Sequence, residues 1–110
     1  MKEITQILAD AIVDSTNSEW KNAKLIIKLF GGSIDKFLEF EYLDGSIKTA
    51  FLVDRGKVSL PLFKLHQSMN EENKKHWNVL TFLLDNEGKF DLNFEWDQAI
   101  QDEFERESQS

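Results

Sequence analysis

The sequence predicts an α+β domain with the element order α-β-β-β-α-β-β-α, in which an antiparallel sheet of about five strands carries helices mainly on one face. Three observations support this prediction. Apolar residues recur at helical spacing near the start of the chain, several short segments alternate between apolar and polar residues, and glycine-containing turn signals separate these segments. We expect residues 1–110 to form a single domain.

The first half of the chain predicts a helix and a three-stranded meander. The helix covers residues 2–14, and the strands cover residues 23–30, 35–43 and 47–53. Asp44-Gly45 indicates a two-residue type I′ turn between the second and third strands. Further turns are expected at Gly31-Gly32 and at residues 54–57.

The second helix is predicted to begin with Ser59 as its N-cap and Pro61 in its first turn. Its apolar stripe comprises Leu62, Leu65, His66 and Met69, and we expect the helix to end within residues 70–76.

Residues 77–96 show the strongest local pattern and predict a β-hairpin around the turn Asp85 to Gly88. The first run has apolar residues at both odd and even positions, as an interior strand does. The second run alternates strictly, so we expect its large apolar side chains to form one wall of the core. These are Phe90, Leu92, Phe94 and Trp96. The outward face of the sheet is predicted to carry Lys24, Lys28, Glu39, Glu41, Lys48, Asp91, Asn93 and Glu95.

A third helix is predicted after the hairpin, with Asp97 as its cap. Ala99, Ile100 and Phe104 are expected to face inward, and the tail from Arg106 to fray.

The formal net charge of −7 is concentrated at one end of the chain. In residues 85–110, acidic side chains far outnumber the basic residues Lys89 and Arg106. This distribution disfavours binding to nucleic acids or anionic membranes and favours a basic protein partner, although the acids also suit a solvated helix and strand surface. Cysteine is absent, which excludes disulfides and thiolate chemistry. The absence of cysteine also fits a reducing compartment. No apolar run reaches membrane-spanning length, and the sequence opens with an amphipathic helix and not with a signal peptide.

The candidates for catalysis are weak. His66 and His76 lack the close spacing of metal ligands, and His66 on an apolar stripe suits a structural role. Carboxylates occur in pairs, but an exposed sheet face does not desolvate them enough to separate their pKa values. We therefore predict no catalytic, metal or cofactor site. A metal-dependent hydrolase that uses both histidines is a minor alternative.

The order of elements and several spaced residues resemble the YezG-like immunity (antitoxin) family of bacterial polymorphic toxin systems. The residues that carry this resemblance are Ser18-Glu19-Trp20-Lys21, Trp77, Gly88-Lys89-Phe90 and Trp96, where the family generally has tyrosine. The resemblance implies a cytoplasmic, non-catalytic protein that binds and neutralises a cognate toxin, often a nuclease. It implies no fixed set of binding residues.

The acidic end of the chain is the predicted toxin-binding surface, because a nuclease presents a basic groove for phosphates. The candidate residues are Asp85, Glu87, Asp91, Asn93, Glu95, Asp97, Asp102, Glu103 and Glu105. We expect a one-to-one complex with a basic nuclease domain. The alternative is an acidic chaperone of type III secretion, which would hold an unfolded client segment in an apolar groove.

Overall fold

A computed structural model describes most of the chain. The described residues are 4–30, 33–53, 58–71 and 77–108. The turns predicted at residues 31–32 and 54–57, as well as His76, lie outside them.

The described residues form three helices and one five-stranded sheet in the predicted order, which confirms the α+β fold. The elements are α1 (Ile4–Asp14), β1 (Trp20–Phe30), β2 (Ser33–Tyr42), β3 (Ile47–Ala50), α2 (Ser59–Glu71), β4 (Val79–Asp85), β5 (Phe90–Glu95) and α3 (Gln98–Ser108). The strand order is β3-β2-β1-β4-β5, and every neighbouring pair is antiparallel. The long first strand therefore lies at the centre, and the two short strands β3 and β5 form the edges.

The core lies between the sheet and the first two helices. Leu8 and Ile12 of α1 and Leu62 of α2 are completely buried, and Phe40 and Phe82 are completely buried on the sheet. All five belong to one cluster of buried apolar side chains. We call the face of the sheet that carries this cluster the inner face. Burial of large apolar side chains, at roughly 1.5–3 kcal/mol each, is the main force that holds the two layers together.

The β2–β3 and β4–β5 hairpin loops each contain three residues and close with a glycine at positive φ. Gly45 N–H donates to the Tyr42 carbonyl (2.9 Å), and Tyr42 N–H donates to the Ser46 carbonyl (2.8 Å). The φ of Gly45 is +88°, and Gly88 in the second loop has φ +89° with the same hydrogen-bond pattern around it. These are three-residue loops with a glycine bulge. The predicted two-residue type I′ turn at Asp44-Gly45 is therefore wrong.

The extra loop residue reverses the two faces of β3. Ile47 lies opposite Glu41, and Lys48 lies opposite Phe40. A two-residue loop would have placed Lys48 opposite Glu41, on the outward face. Because side chains along a strand alternate with a period of two, a shift of one residue moves each of them to the other side. The prediction that Lys48 belongs to the outward face is therefore wrong, and Ile47 takes that place.

The hairpin of β4 and β5 has the predicted alternation but less burial than expected. Leu92 and Phe94 pack against the core, whereas Phe90 is 56% exposed and Trp96 is 45% exposed. The reason is the position of β5 at the edge of the sheet, where neighbouring elements cover only part of its inner face. The prediction that all four large side chains are core residues is therefore half correct.

The helix ends differ from the predictions in detail. The Val58 carbonyl accepts the first hydrogen bond of α2 from Leu62 N–H (3.2 Å), so Ser59 lies inside the first turn and is not the N-cap. Asp97 does cap α3, since its Oδ1 accepts a hydrogen bond from Ala99 N–H (3.0 Å).

Helix α3 lies against β1, with Ile100 half-buried. Ala99 is exposed, contrary to the prediction, because the helix turns Ile100 and Gln101 toward the protein instead. The side chain of Phe104 lies outside the described part. The helix extends to Ser108, and the fraying expected from Arg106 stays a prediction.

Asn78 connects the sheet to the start of α3. Its relative exposure is 2%, and its side chain makes two hydrogen bonds with the backbone of Asp97. Asn78 Nδ2 donates to the Asp97 carbonyl (2.8 Å), and Asp97 N–H donates to Asn78 Oδ1 (2.7 Å). The backbone of Asn78 bonds to Leu29 on β1 and Glu95 on β5. One residue thus bonds to backbone groups on three neighbouring elements.

Replacing this amide tests its contribution to stability. Asn78→Ala removes the side chain that bonds to the N–H and the carbonyl of Asp97, and we expect the free energy of unfolding to fall by about 1–3 kcal/mol in urea titrations. The control is Asn17→Ala, which removes an exposed amide before β1 and should change the free energy by less than about 0.5 kcal/mol. Equal stability of the two variants would contradict this role for Asn78.

Candidate binding surface

The face of the sheet opposite α1 and α2, which we call the outer face, is built from rows of side chains that cross the strands. The central row crosses all five strands and consists of Thr49, Glu39, Lys24, Leu83 and Asp91. Every residue of this row except Glu39 is exposed, and Glu39 is half-buried. Residues paired across neighbouring strands have Cβ atoms about 4.5–5.5 Å apart, so the row forms a continuous surface.

Three further rows extend the outer face on both sides of the central row. They are Ile47-Glu41-Asn22-Asp85, Phe37-Ile26-Thr81-Asn93, and Asp35-Lys28-Val79-Glu95.

Five apolar side chains lie among the polar residues of this surface. Ile47 is 60% exposed, Phe37 is 44% exposed and Leu83 is 41% exposed, while Ile26 and Val79 are half-buried. Singly exposed apolar residues are common on proteins, but these five share one face of one sheet. An exposed apolar patch rimmed by polar residues is typical of a protein-binding surface.

Acidic side chains predominate over basic ones on the outer face. The acids are Asp35, Glu39, Glu41, Asp85, Asp91 and Glu95, and the bases are Lys24 and Lys28. Each lysine lies directly opposite a carboxylate on β2: Lys24 opposite Glu39, and Lys28 opposite Asp35. The β5 side of the face therefore retains the larger share of uncompensated negative charge, and it favours a partner with a basic surface.

Four of the nine predicted binding residues lie together on this face. Asp91, Asn93 and Glu95 are exposed along β5, and Asp85 ends the adjacent strand. Asn93 Nδ2 donates to Glu95 Oε1 (2.6 Å), which holds these two side chains against each other. The structure thus brings together the strand residues of the predicted set.

The loop residues of the set serve local structure. Asp85 Oδ1 accepts hydrogen bonds from the backbone N–H groups of Glu87 (2.9 Å) and Lys89 (2.8 Å), which stabilises the loop. Glu87 lies 3.7 Å from Lys89 in an exposed ion pair, an arrangement that contributes little to stability. Asp97 caps α3.

The remaining three predicted residues lie on α3. Asp102 accepts a hydrogen bond from Gln98 (3.0 Å), and Glu105 accepts one from Gln101 (3.2 Å). Glu103 is exposed. The acidic end of the sequence is therefore divided between a strand face, a loop and a helix. Phe37, Leu83 and Ile47 were not among the predicted binding residues, although the leucine pair at positions 83 and 84 indicates an apolar residue on each face of β4.

The described residues give little basis for a metal site. Within residues 4–30, 33–53, 58–71 and 77–108, no group of three or more His, Asp or Glu side chains lies close enough to hold a metal ion. His66 Nε2 donates to the Trp77 carbonyl (2.9 Å), and its ring lies edge-on to the Trp77 indole at 5.1 Å. These contacts suit a structural histidine.

Among the helices of the described residues, none has the length and apolar character needed to cross a membrane.

Comparison with known proteins identifies one family. The family model described as immunity protein YezG-like matches residues 1–110. A search of curated proteins gave no match.

Neighbouring leucines on β4 test the assignment of the two faces. Leu84 is 6% exposed in the core, and Leu83 is 41% exposed on the outer face. We expect Leu84→Ser to lower the free energy of unfolding by about 2–5 kcal/mol and Leu83→Ser to lower it by less than about 1 kcal/mol. Thermal melts and urea titrations of both variants provide the comparison. A larger loss for Leu83→Ser would show that the faces are assigned in reverse.

Proposed function

Because the chain belongs to the YezG-like immunity protein family, we propose that it binds a cognate bacterial toxin domain and neutralises it without catalysing a reaction. The proposed target is a basic nuclease domain, the complex contains one copy of each protein, and binding takes place in the cytoplasm. Family membership favours this role over that of a secretion chaperone.

The proposed binding surface is the outer face of the sheet. The observation that supports it is that Phe37, Leu83 and Ile47 are exposed on one face of the sheet, which also carries six carboxylates. Protein interfaces have an apolar, aromatic-rich centre and a polar rim, and most of the binding energy comes from a few central residues. The outer face carries exposed apolar side chains together with carboxylates. Helix α3, by contrast, presents the exposed acids Asp102, Glu103 and Glu105.

The charge of this surface suits inhibition of a nuclease. Such an enzyme needs a basic groove to hold the phosphate backbone of its substrate. Carboxylates such as Asp91 and Glu95 compete with phosphate for that groove and attract it over a distance. Electrostatic steering can raise association rates to ~10⁸–10⁹ M⁻¹s⁻¹ at low ionic strength. The toxin is then neutralised because its substrate-binding groove is occupied.

A growth assay tests the function. The probe is the C-terminal domain of the protein encoded by the adjacent upstream gene, expressed from an inducible promoter in bacteria. We expect this domain to stop growth alone and to be harmless when the present chain is co-expressed. Continued killing, with both proteins shown to be soluble, would refute the proposed function. The same domain with its catalytic residue replaced serves as the control for toxicity.

Charge reversal tests the surface. Asp91→Lys together with Glu95→Lys should weaken binding of the toxin domain by about tenfold or more, because like charges at an interface cost several kcal/mol. The matched control is Asp102→Lys with Glu103→Lys on α3, which changes the net charge equally and should leave the affinity nearly unchanged. Calorimetric titrations at low and high salt measure both.

We expect the affinity of the wild-type protein to fall with salt more steeply than that of the β5 variant. Both variants should keep the melting temperature, because all four side chains are exposed. If the α3 pair weakens binding and the β5 pair does not, the interface lies on α3 instead.

A further inference from the structure

A second exposed apolar surface lies at the end of the sheet where the β2–β3 and β4–β5 loops approach helix α1. It is an open groove of about 710 Å³, which we call the α1 groove. Val13 of α1 (55% exposed), Leu43 of the β2–β3 loop (58%) and Phe90 at the start of β5 (56%) contribute its apolar walls. Trp20 lies among them, half-buried, with its ring 5.6 Å from that of Phe40. Three separate segments thus direct apolar side chains into one depression.

The charged side chains that line the groove are all acidic. They are Asp10 from α1, Glu19 from the connection before β1, and Asp85 from the end of β4. Within the described chain, no lysine or arginine belongs to the lining. The groove therefore combines exposed apolar walls with a negative field, and it suits an occupant that carries apolar and basic side chains together.

The groove is continuous with the outer face. Leu84, Asp85 and Phe90 line it, and the same three residues line a neighbouring depression of about 380 Å³ that also contains Leu83 and Ile47. A protein bound over Leu83 on the outer face could therefore extend past the β4–β5 loop into the α1 groove. The volume of the α1 groove lies within the range of roughly 300–1,000 Å³ found for pockets that bind small ligands. The groove can therefore hold a few side chains but not a whole domain.

We propose that the α1 groove binds a short segment of the toxin in which apolar side chains stand next to lysine or arginine. This inference rests on the proposed function, because it takes the toxin as the partner. The bulk of the toxin domain contacts the outer face, and the segment extends past the β4–β5 loop to place its apolar residues against Val13, Leu43 and Phe90. Its basic residues then face Asp10, Glu19 and Asp85. Two contacts on one rigid frame act together, so each strengthens the other.

The test compares two double variants in the full-length chain. The groove variant is Leu43→Ser with Glu19→Lys, which removes one apolar wall and reverses one charge. The matched control is Leu60→Ser with Glu103→Lys. Leu60 on α2 is 57% exposed, nearly the same as Leu43, and neither control residue lines the groove. Circular dichroism and thermal melts establish that both variants are folded.

Binding is measured with two probes. The first is the toxin domain encoded by the adjacent upstream gene, for which we expect the groove variant to bind about tenfold more weakly or worse, and the control to bind as the wild type does. The second is a set of overlapping 12-residue peptides that cover this domain. We expect a peptide with neighbouring apolar and basic residues to bind the wild-type protein and the control, but not the groove variant.

Each contrary result has a distinct meaning. If the groove variant retains full affinity while Asp91→Lys with Glu95→Lys loses it, the groove proposal is overturned and the proposed function stands. If the wild-type protein does not bind the toxin domain, the proposed function fails, and the groove proposal with it. If sedimentation shows a dimer that Leu43→Ser converts to a monomer, the occupant is a second copy of the chain, and the toxin segment is ruled out.

Discussion

The lengths of the β2–β3 and β4–β5 hairpin loops are the constraint on which the surfaces of this protein depend. Each loop has three residues and closes with a glycine at positive φ, so each fixes the register of its strands. In the first hairpin this register places Ile47 on the outer face and Lys48 on the inner side. In the second it places Asp91 outward and Leu92 against the core. A loop shorter by one residue would exchange the faces of β3 and remove one apolar residue from the outer face.

The second constraint lies where the chain enters the late hairpin. Trp77 is completely buried, and its indole N–H donates to the sulfur of Met69 (3.1 Å), while its ring packs on Phe94 at 4.9 Å. His66 bonds to its carbonyl. Asn78, the next residue, bonds to β1, β5 and the start of α3. Two consecutive residues therefore join α2 and α3 to the sheet, one mainly by apolar packing and one by hydrogen bonds.

Alternation and helical spacing were sufficient to predict the order of the elements and the faces of β2 and β5, because both patterns reflect burial directly. They could not predict the face of β3, because Asp44-Gly45 suits a two-residue loop as well as a three-residue loop, and only packing of the strand decides between them. For the candidate surface, net charge indicated the acidic residues of β5, but it also selected Asp97, whose oxygen caps a helix. Leu83 was missed because composition does not show which apolar residues the helices leave uncovered.

The row from Thr49 through Lys24 to Asp91 has a consequence for the shape of anything that contacts it. Neighbouring strands are rotated by roughly 20–25°, so the strand direction turns by roughly 80–100° between the two edges of a five-stranded sheet. The outer face is consequently a saddle and not a plane. A flat protein surface touches a saddle only near its centre, whereas a helix or an extended loop follows it along one row. A twisted sheet of this size thus suits a ridge-shaped contact better than a flat one, independently of charge.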